Sequence, residues 1–152
     1  MQAQGIALLV PLTVSVGAVL CTIVIHGLVV LAVVQFVLRE ERRANAGVAF
    51  WSDVVIVGLV TCLALAAHLM EIAVWALLFM GCGEFRDFAT AYYHSAVNYT
   101  TLGYGDLIMS AAWRMLGPLE AANGMVMFGV TTALVFGVIQ RLLQRRFPNL
   151  EE

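Results

Sequence analysis

Residues 100–106, with the sequence TTLGYGD, place two glycines between larger side chains in a strongly apolar chain. Glycine adopts positive φ angles without steric cost, so Gly103 and Gly105 allow successive backbone carbonyls to turn toward a single axis. Carbonyl oxygens arranged in this way replace the water molecules around a dehydrated cation, and the Thr101 hydroxyl supplies one more oxygen. The segment is therefore predicted to coordinate a cation through its backbone.

The elements that position this segment are predicted from composition and hydropathy. Of the 152 residues, 62% are hydrophobic and 12% are charged, whereas soluble domains average about 25% charged residues. An integral membrane protein is therefore predicted. Three segments are long and apolar enough to span a bilayer, at about 6–38, 54–80 and 113–139.

Basic residues predict the orientation of these spans. The chain has no lysine, and six of its eight arginines follow the first or the third span: Arg39, Arg42, Arg43, Arg141, Arg145 and Arg146. Because cytoplasmic loops are enriched in basic residues, these two ends are predicted to be cytoplasmic, with the N-terminus outside. The compact size and the lack of organelle signals favour a bacterial inner membrane.

A short helix is predicted between the second and third spans. Residues 81–83, with the sequence GCG, should end the second helix, and Asp87 is the predicted N-cap of a helix from about Phe88 to Tyr99. Twelve residues make about 18 Å of helix, which enters half a bilayer without crossing it. The C-terminal end of this helix, where the macrodipole favours a cation, leads directly into residues 100–106.

This arrangement resembles the pore domain of tetrameric potassium channels, with outer helix, pore helix, filter and inner helix. The resemblance covers roughly residues 54–141, and Leu102 stands where the family signature more often has valine. The carbonyl donors that the resemblance implies are Thr101, Leu102, Gly103, Tyr104 and Gly105, with K⁺ bound at the first four of these. It also implies that Asp106 lies at the outer mouth, and that four chains form one pore because each chain has one filter.

Four more positions are assigned supporting roles. Val97 occupies a pore-helix site where some family members carry a glutamate that pairs with the aspartate, so Tyr93 is the predicted alternative partner of Asp106. Thr100 is predicted to support the filter that follows it. Gly124 lies near the family's inner-helix hinge, although close packing between helices explains a glycine there equally well.

Polar residues within the spans predict a second site. His68 and Glu71 are three residues apart in the second span, and Glu120 and Asn123 have the same spacing in the third, so each pair shares a helix face. Ionisable groups at this depth need partners or water, and we predict one buried cluster of these four. Two interpretations stay open, structural packing and proton sensing by histidine. His26, in the first span, is predicted to be a buried or lipid-interface histidine without a functional role.

The predicted fold is an all-α membrane protein. Residues 1–47 form an extra N-terminal transmembrane helix and a cytoplasmic linker, and residues 48–152 form the pore domain. Within that domain the outer helix is expected at about 54–80, the pore helix at about 88–99, the filter at 100–106 and the inner helix at about 113–141.

The predicted function is passive K⁺ conduction by a homotetramer surrounded by membrane lipid. Two alternatives remain, a weakly selective cation channel and a non-conducting partner subunit or scaffold with a pore-like fold. The sequence shows no nucleophile–base constellation and no phosphate-binding loop. We therefore expect no enzyme activity, no cofactor apart from K⁺ ions in the filter, and no nucleic-acid partner.

Overall fold

The computed structural model describes residues 2–43 and 50–147, with side chains described for residues 9–40 and 51–147. The described residues form four helices and no strand: α1 (Gln2–Arg43), α2 (Phe50–Gly81), α3 (Phe88–Tyr99) and α4 (Leu116–Arg146). The all-α prediction is confirmed. By length and composition, three of these helices, α1, α2 and α4, are able to cross a membrane.

The helix boundaries follow local sequence signals. The bounds of α3 coincide with the predicted range, and α2 ends at Gly81, before Gly83 takes a φ of +79°. The start of α4 comes later than predicted because the Ser110 carbonyl accepts hydrogen bonds from the backbone of Trp113 and Arg114, at 3.1 and 2.9 Å, and forms a separate turn. Pro118 then lies in the first turn of α4, where its missing N–H costs nothing.

Helix α2 runs antiparallel to both α1 and α4, as two apolar clusters demonstrate. The cluster near the filter joins the early part of α1 to the late part of α2, through Ala18, Ile72, Trp75, Phe79, Tyr99, Met109, Leu116 and Met127. The cluster at the opposite end is formed by Val33, Val37, Ile56, Val60, Val138 and Leu142. Helix α1 therefore packs against both α2 and α4 of its own chain.

An ion pair joins α2 to α4 at the end of the molecule far from residues 100–106. Asp53, in the first turn of α2, accepts a hydrogen bond from Arg145 at 3.0 Å and lies 3.6 Å from the Arg146 Nε. Both arginines belong to the last turn of α4, where the helix dipole favours cations. Since apolar side chains gain little by leaving lipid for protein, polar contacts of this kind help to fix helix positions in a membrane.

Candidate functional site

Asp87 fixes the start of the pore helix α3. Its Oδ1 accepts hydrogen bonds from the backbone N–H groups of Ala89 and Thr90, at 2.9 and 3.1 Å. The hydrogen bonds from Thr90 hold the pKa of Asp87 below its usual value, so the cap is ionised at neutral pH. The predicted N-cap is present, and the charge lies at the positive end of the helix dipole.

The backbone of the filter segment alternates between two conformations. Thr101, Gly103 and Gly105 have φ angles of +60°, +60° and +72°, whereas Leu102 and Tyr104 do not have positive φ. Such alternation lets successive peptide groups place their carbonyls on one side of the strand instead of on opposite sides. This is the geometry that a row of backbone oxygen ligands requires.

The loop is held to the end of α3 by backbone hydrogen bonds. The Val97 carbonyl accepts from the N–H groups of Leu102 and Gly103, at 2.9 and 3.2 Å, and Thr101 N–H donates to the Asn98 carbonyl at 2.8 Å. These contacts hold Thr101 in a left-handed conformation that costs a non-glycine residue about 1–2 kcal/mol. Val97 thus contacts the filter through its backbone.

Three residues of the filter segment have side chains that do not line up with the loop backbone. Thr100 donates its hydroxyl to the Ala96 carbonyl at 2.7 Å, so its side chain is bonded to the end of α3. Leu102 and Tyr104 are 54% and 67% exposed. The side chains of these two residues are therefore largely uncovered by their own chain.

Side chains brace the outer end of the filter. The Tyr93 hydroxyl donates to Asp106 Oδ2 at 2.7 Å, which is the contact that the sequence predicts, and this hydrogen bond raises the pKa of Tyr93. Glu84 was not identified from sequence, yet its carboxylate accepts from the Ser110 N–H at 2.7 Å and the Ser110 hydroxyl at 2.6 Å. The segments before α3 and after the filter are joined by this contact.

Gly124 lies where the inner helix touches the base of the filter. A Cβ placed on Gly124 would overlap the carbonyl oxygen of Tyr99, the last residue of α3. The helix α4 is continuous through this position. Of the two explanations for this glycine, the structure supports close packing.

The predicted cluster of four polar residues is wrong, because its members belong to three separate groups. Glu120 accepts a hydrogen bond at 2.5 Å from Ser95 on α3. Asn123 donates to the Thr22 hydroxyl of α1 at 3.0 Å. Only His68 and Glu71 remain together, with the His68 Nδ1 at 3.4 Å from Glu71 Oε2. The i,i+3 spacing places the two residues of each pair on one face of their helix. The rotation of each helix about its axis depends on packing, and it directs the pairs of α2 and α4 to different partners.

His68 and Glu71 belong instead to a closed hydrogen-bonded cycle of five side chains, here termed the polar ring. Glu71 Oε1 meets His26 Nδ1 at 2.8 Å, and Glu71 Oε2 meets the Tyr99 hydroxyl. That hydroxyl lies 3.1 Å from His68 Nδ1. Thr131 closes the cycle, with its hydroxyl 2.9 Å from His68 Nε2 and 3.2 Å from His26 Nε2.

The polar ring takes members from all four helices. Sequence reasoning assigned no function to His26, which the structure instead places against Glu71, and it did not include Tyr99 or Thr131 in this group. The antiparallel packing of α1 and α2 was the missing signal, since it brings His26 to the depth of Glu71. His26, His68 and Glu71 each offer one potential ligand atom, and these three atoms lie within 4.8 Å of one another. The three residues therefore also form a candidate metal-ligand set.

Comparison with known proteins identifies the family of this site. A family model described as an ion channel matches residues 55–141, more than half of the chain. Neither the curated proteins nor the solved structures gave a match. The matched range includes α3, the segment 100–106 and most of α2 and α4, and it leaves α1 and His26 outside.

Proposed function

This chain belongs to the ion channel family, and we propose that it is a potassium-selective channel that conducts K⁺ passively across a membrane. The alternating positive φ angles at Thr101, Gly103 and Gly105 are the observation that carries the proposal. A backbone in this conformation presents consecutive carbonyl oxygens along one axis, and such oxygens replace the hydration shell of K⁺. The TTLGYGD sequence supplies glycine at two of the three positions.

Four chains complete the pore in this proposal. One chain carries one filter segment and so supplies one side of each ring of carbonyls. The large exposed fractions of Leu102 and Tyr104 support assembly, because a neighbouring subunit would cover side chains that their own chain leaves uncovered. K⁺ would bind at the carbonyls of residues 101–104, and Gly105 would supply the outermost oxygen.

The pathway around the filter favours cations at both ends. Asp106 lies at the outer end, with its carboxylate held by the Tyr93 hydroxyl. The negative end of the α3 dipole lies at Tyr99 and Thr100, at the base of the filter. Dehydrated ions would pass in single file between the carbonyl rings, each displacing the next.

The protein is an integral membrane protein, and its sidedness belongs to this proposal. The arginine clusters at the ends of α1 and α4 support a cytoplasmic location for those ends and an outer location for the filter. Helix α1 would lie at the periphery of the tetramer in contact with lipid, as the exposed apolar side chains Leu20, Val24, Leu28 and Leu31 support. A bacterial inner membrane is the proposed location.

Flux from liposomes tests this function. The purified protein is reconstituted, and uptake of K⁺, Rb⁺ and Na⁺ is compared with and without Ba²⁺. We expect K⁺ and Rb⁺ to enter and Ba²⁺ to block them, with little Na⁺ uptake. Equal uptake of Na⁺ and K⁺ would identify a weakly selective cation channel, and no uptake of any ion would favour a scaffold; either result contradicts the proposal.

A further inference from the structure

The polar ring is buried where the four helices meet. His26 and His68 are each 3% exposed, and Glu71 and Tyr99 are fully buried. Thr131 is half-buried, so the ring reaches the surface of the chain at this residue. At such depth each polar atom needs a hydrogen-bond partner, which allows the protons of the ring to be counted.

The ring has one more contact than it has protons when Glu71 is ionised and both histidines are neutral. Five hydrogen-bond contacts link neighbouring members of the ring, and each of them requires one proton between its two heavy atoms. The Tyr99 and Thr131 hydroxyls supply one proton each, each neutral imidazole supplies one, and the Glu71 carboxylate supplies none. One contact then brings two acceptors together without a proton.

We propose that the polar ring is a proton-binding site, and that a fifth proton completes its hydrogen bonds. The proton occupies His68 Nδ1, beside the Glu71 carboxylate, or it occupies Glu71 while the Tyr99 hydroxyl donates to His68 Nδ1. Both arrangements satisfy every contact and leave the ring uncharged overall, which suits its burial among membrane-spanning helices. Loss of the fifth proton leaves one of the five contacts without a hydrogen, and histidine nitrogens take part in four of these five contacts.

Neighbouring polar groups do not supply this proton. Ser95 contacts both the Ile72 carbonyl, at 2.8 Å, and Glu120 Oε1, at 2.5 Å. The single Ser95 hydroxyl proton serves these two acceptors, and neither Ser95 nor Glu120 hydrogen-bonds to a member of the polar ring. The pair formed by Thr22 and Asn123, between α1 and α4, is uncharged. Glu120 Oε2 is buried without a hydrogen-bond partner among the described residues, and neither pair hydrogen-bonds to the polar ring.

The ring acts on the base of the filter through Tyr99. This residue ends α3 and directly precedes the two threonines of the filter segment. Phe128 of α4 packs against the rings of both His68 and Tyr99, with centroids 4.3 and 5.6 Å away. In this proposal the contact left without a hydrogen is one of the two at Tyr99, whose hydroxyl can donate to Glu71 or to His68 but not to both. The end of α3 then loses one of its two side-chain attachments to α2.

Nitrogen NMR tests the proton site without any measurement of conduction. The chain has three histidines, so ¹⁵N-histidine labelling of the full chain gives few signals, recorded with EDTA because the ring also suits a metal ion. Between about pH 5.5 and about pH 8.5, departure of the fifth proton should shift the resonance of at least one ring nitrogen of His26 or His68. His94 is the internal control, because it lies outside the polar ring and its Nε2 is paired with the Asn98 side-chain amide at 2.9 Å. Unchanged His26 and His68 resonances would overturn the proposal.

The effect on the filter is tested by Rb⁺ flux, and this arm rests on the proposed function. Wild-type flux should fall as the pH rises through the same range, and Tyr99→Phe should lose this pH response. Tyr92→Phe is the matched control, because Tyr92 also lies on α3 and donates its hydroxyl to α2, at the Leu69 carbonyl, but stands outside the ring. A pH response that survives in Tyr99→Phe would contradict the coupling. Absence of all flux together with a shifted NMR resonance would contradict the channel function and leave the proton site standing.

Discussion

Backbone conformation at three residues decides what residues 100–106 can do. Gly103 and Gly105 supply positive φ cheaply, whereas Thr101 reaches the same region only because hydrogen bonds to the end of α3 hold the loop. In the proposed channel, the Thr101 hydroxyl and carbonyl would supply the innermost oxygens of the ion path. A small cost in backbone strain at the site is offset by contacts with the pore helix.

Replacing one filter glycine should separate conduction from stability. Gly103→Ala places a Cβ at φ +60° and should cost about 1–2 kcal/mol while abolishing K⁺ flux, because the carbonyls leave the axis. Gly83→Ala is the matched control, since Gly83 has φ +79° and open space around its Cβ position but lies outside the filter. It should lower thermal stability by a similar amount and retain flux. Normal K⁺ flux in Gly103→Ala would contradict the filter assignment.

Local sequence signals predicted the residue-scale features that depend on few neighbours. The filter glycines and the Tyr93–Asp106 hydrogen bond follow from residue type and short spacing. The positive φ of Thr101 could not be predicted, because it depends on a hydrogen bond to the Asn98 carbonyl that only the folded loop supplies.

At the scale of elements, capping defines the pore helix. Asp87→Ala removes the acceptor for two backbone N–H groups and should lower the melting temperature of the purified protein in detergent. Asp87→Asn should retain most of the stability at neutral pH, because an asparagine side chain also caps. Equal losses in both variants would show that the charge, and not the cap, is what matters.

The Asp87 cap should also depend on pH. Its pKa is lowered in the folded protein, chiefly by the hydrogen bond from Thr90, so the ionised cap stabilises the fold at neutral pH. That contribution is lost as the pH falls through the lowered pKa. The difference in melting temperature between wild type and Asp87→Asn should therefore shrink under acidic conditions, and a difference that grows would contradict this account.

The contact between α3 and α4 should be sensitive to a single methyl group. Gly124→Ala would force the Tyr99 carbonyl and α4 apart, at a cost of about 1–3 kcal/mol that is typical of overpacking. Gly17→Ala on α1 is the control, because its Cβ would meet no atom within 4 Å, and alanine should gain about 0.5–1 kcal/mol from helix propensity. Melting temperatures of the two variants decide this. Equal stability would mean that Gly124 serves as a hinge and not as a packing site.

Element boundaries were easier to predict than element contacts. The glycines at 81 and 83, the Asp87 cap and the apolar run lengths predict the helices with small shifts. The polar ring could not be predicted, because the rotation of α1 and the approach of Tyr99 depend on packing between four helices. Spacing within α2 therefore predicted correctly that His68 and Glu71 lie together. It did not predict their partners on the other helices, which packing decides.

At the scale of the whole molecule, the proposal requires an assembly that one chain cannot replace. Native mass spectrometry of the detergent-solubilised protein should give a mass of four chains of 16.5 kDa each, together with bound lipid. If dilution dissociates the assembly, K⁺ flux should be lost at the same time, because the proposed filter requires four chains. A stable monomer or dimer that still conducts K⁺ would contradict the four-chain pore.

Helix α1 extends this molecule beyond the part that the ion channel family model matches. It packs against the outer and inner helices of its own chain and supplies His26 to the polar ring. The helix therefore contacts the elements on which the filter segment rests, and its other side carries exposed apolar side chains. Its position agrees with the predicted extra transmembrane helix, whose packing partners the sequence left open.

Ion selectivity is the property on which the account depends, and a planar-bilayer recording measures it directly. With K⁺ on one side of the membrane and Na⁺ on the other, current through the reconstituted protein should reverse at a voltage that indicates strong preference for K⁺, since carbonyl rings of this geometry replace its hydration shell. A reversal potential near zero would mean that the two ions pass equally well, and it would contradict the assignment of residues 101–105 as a potassium filter.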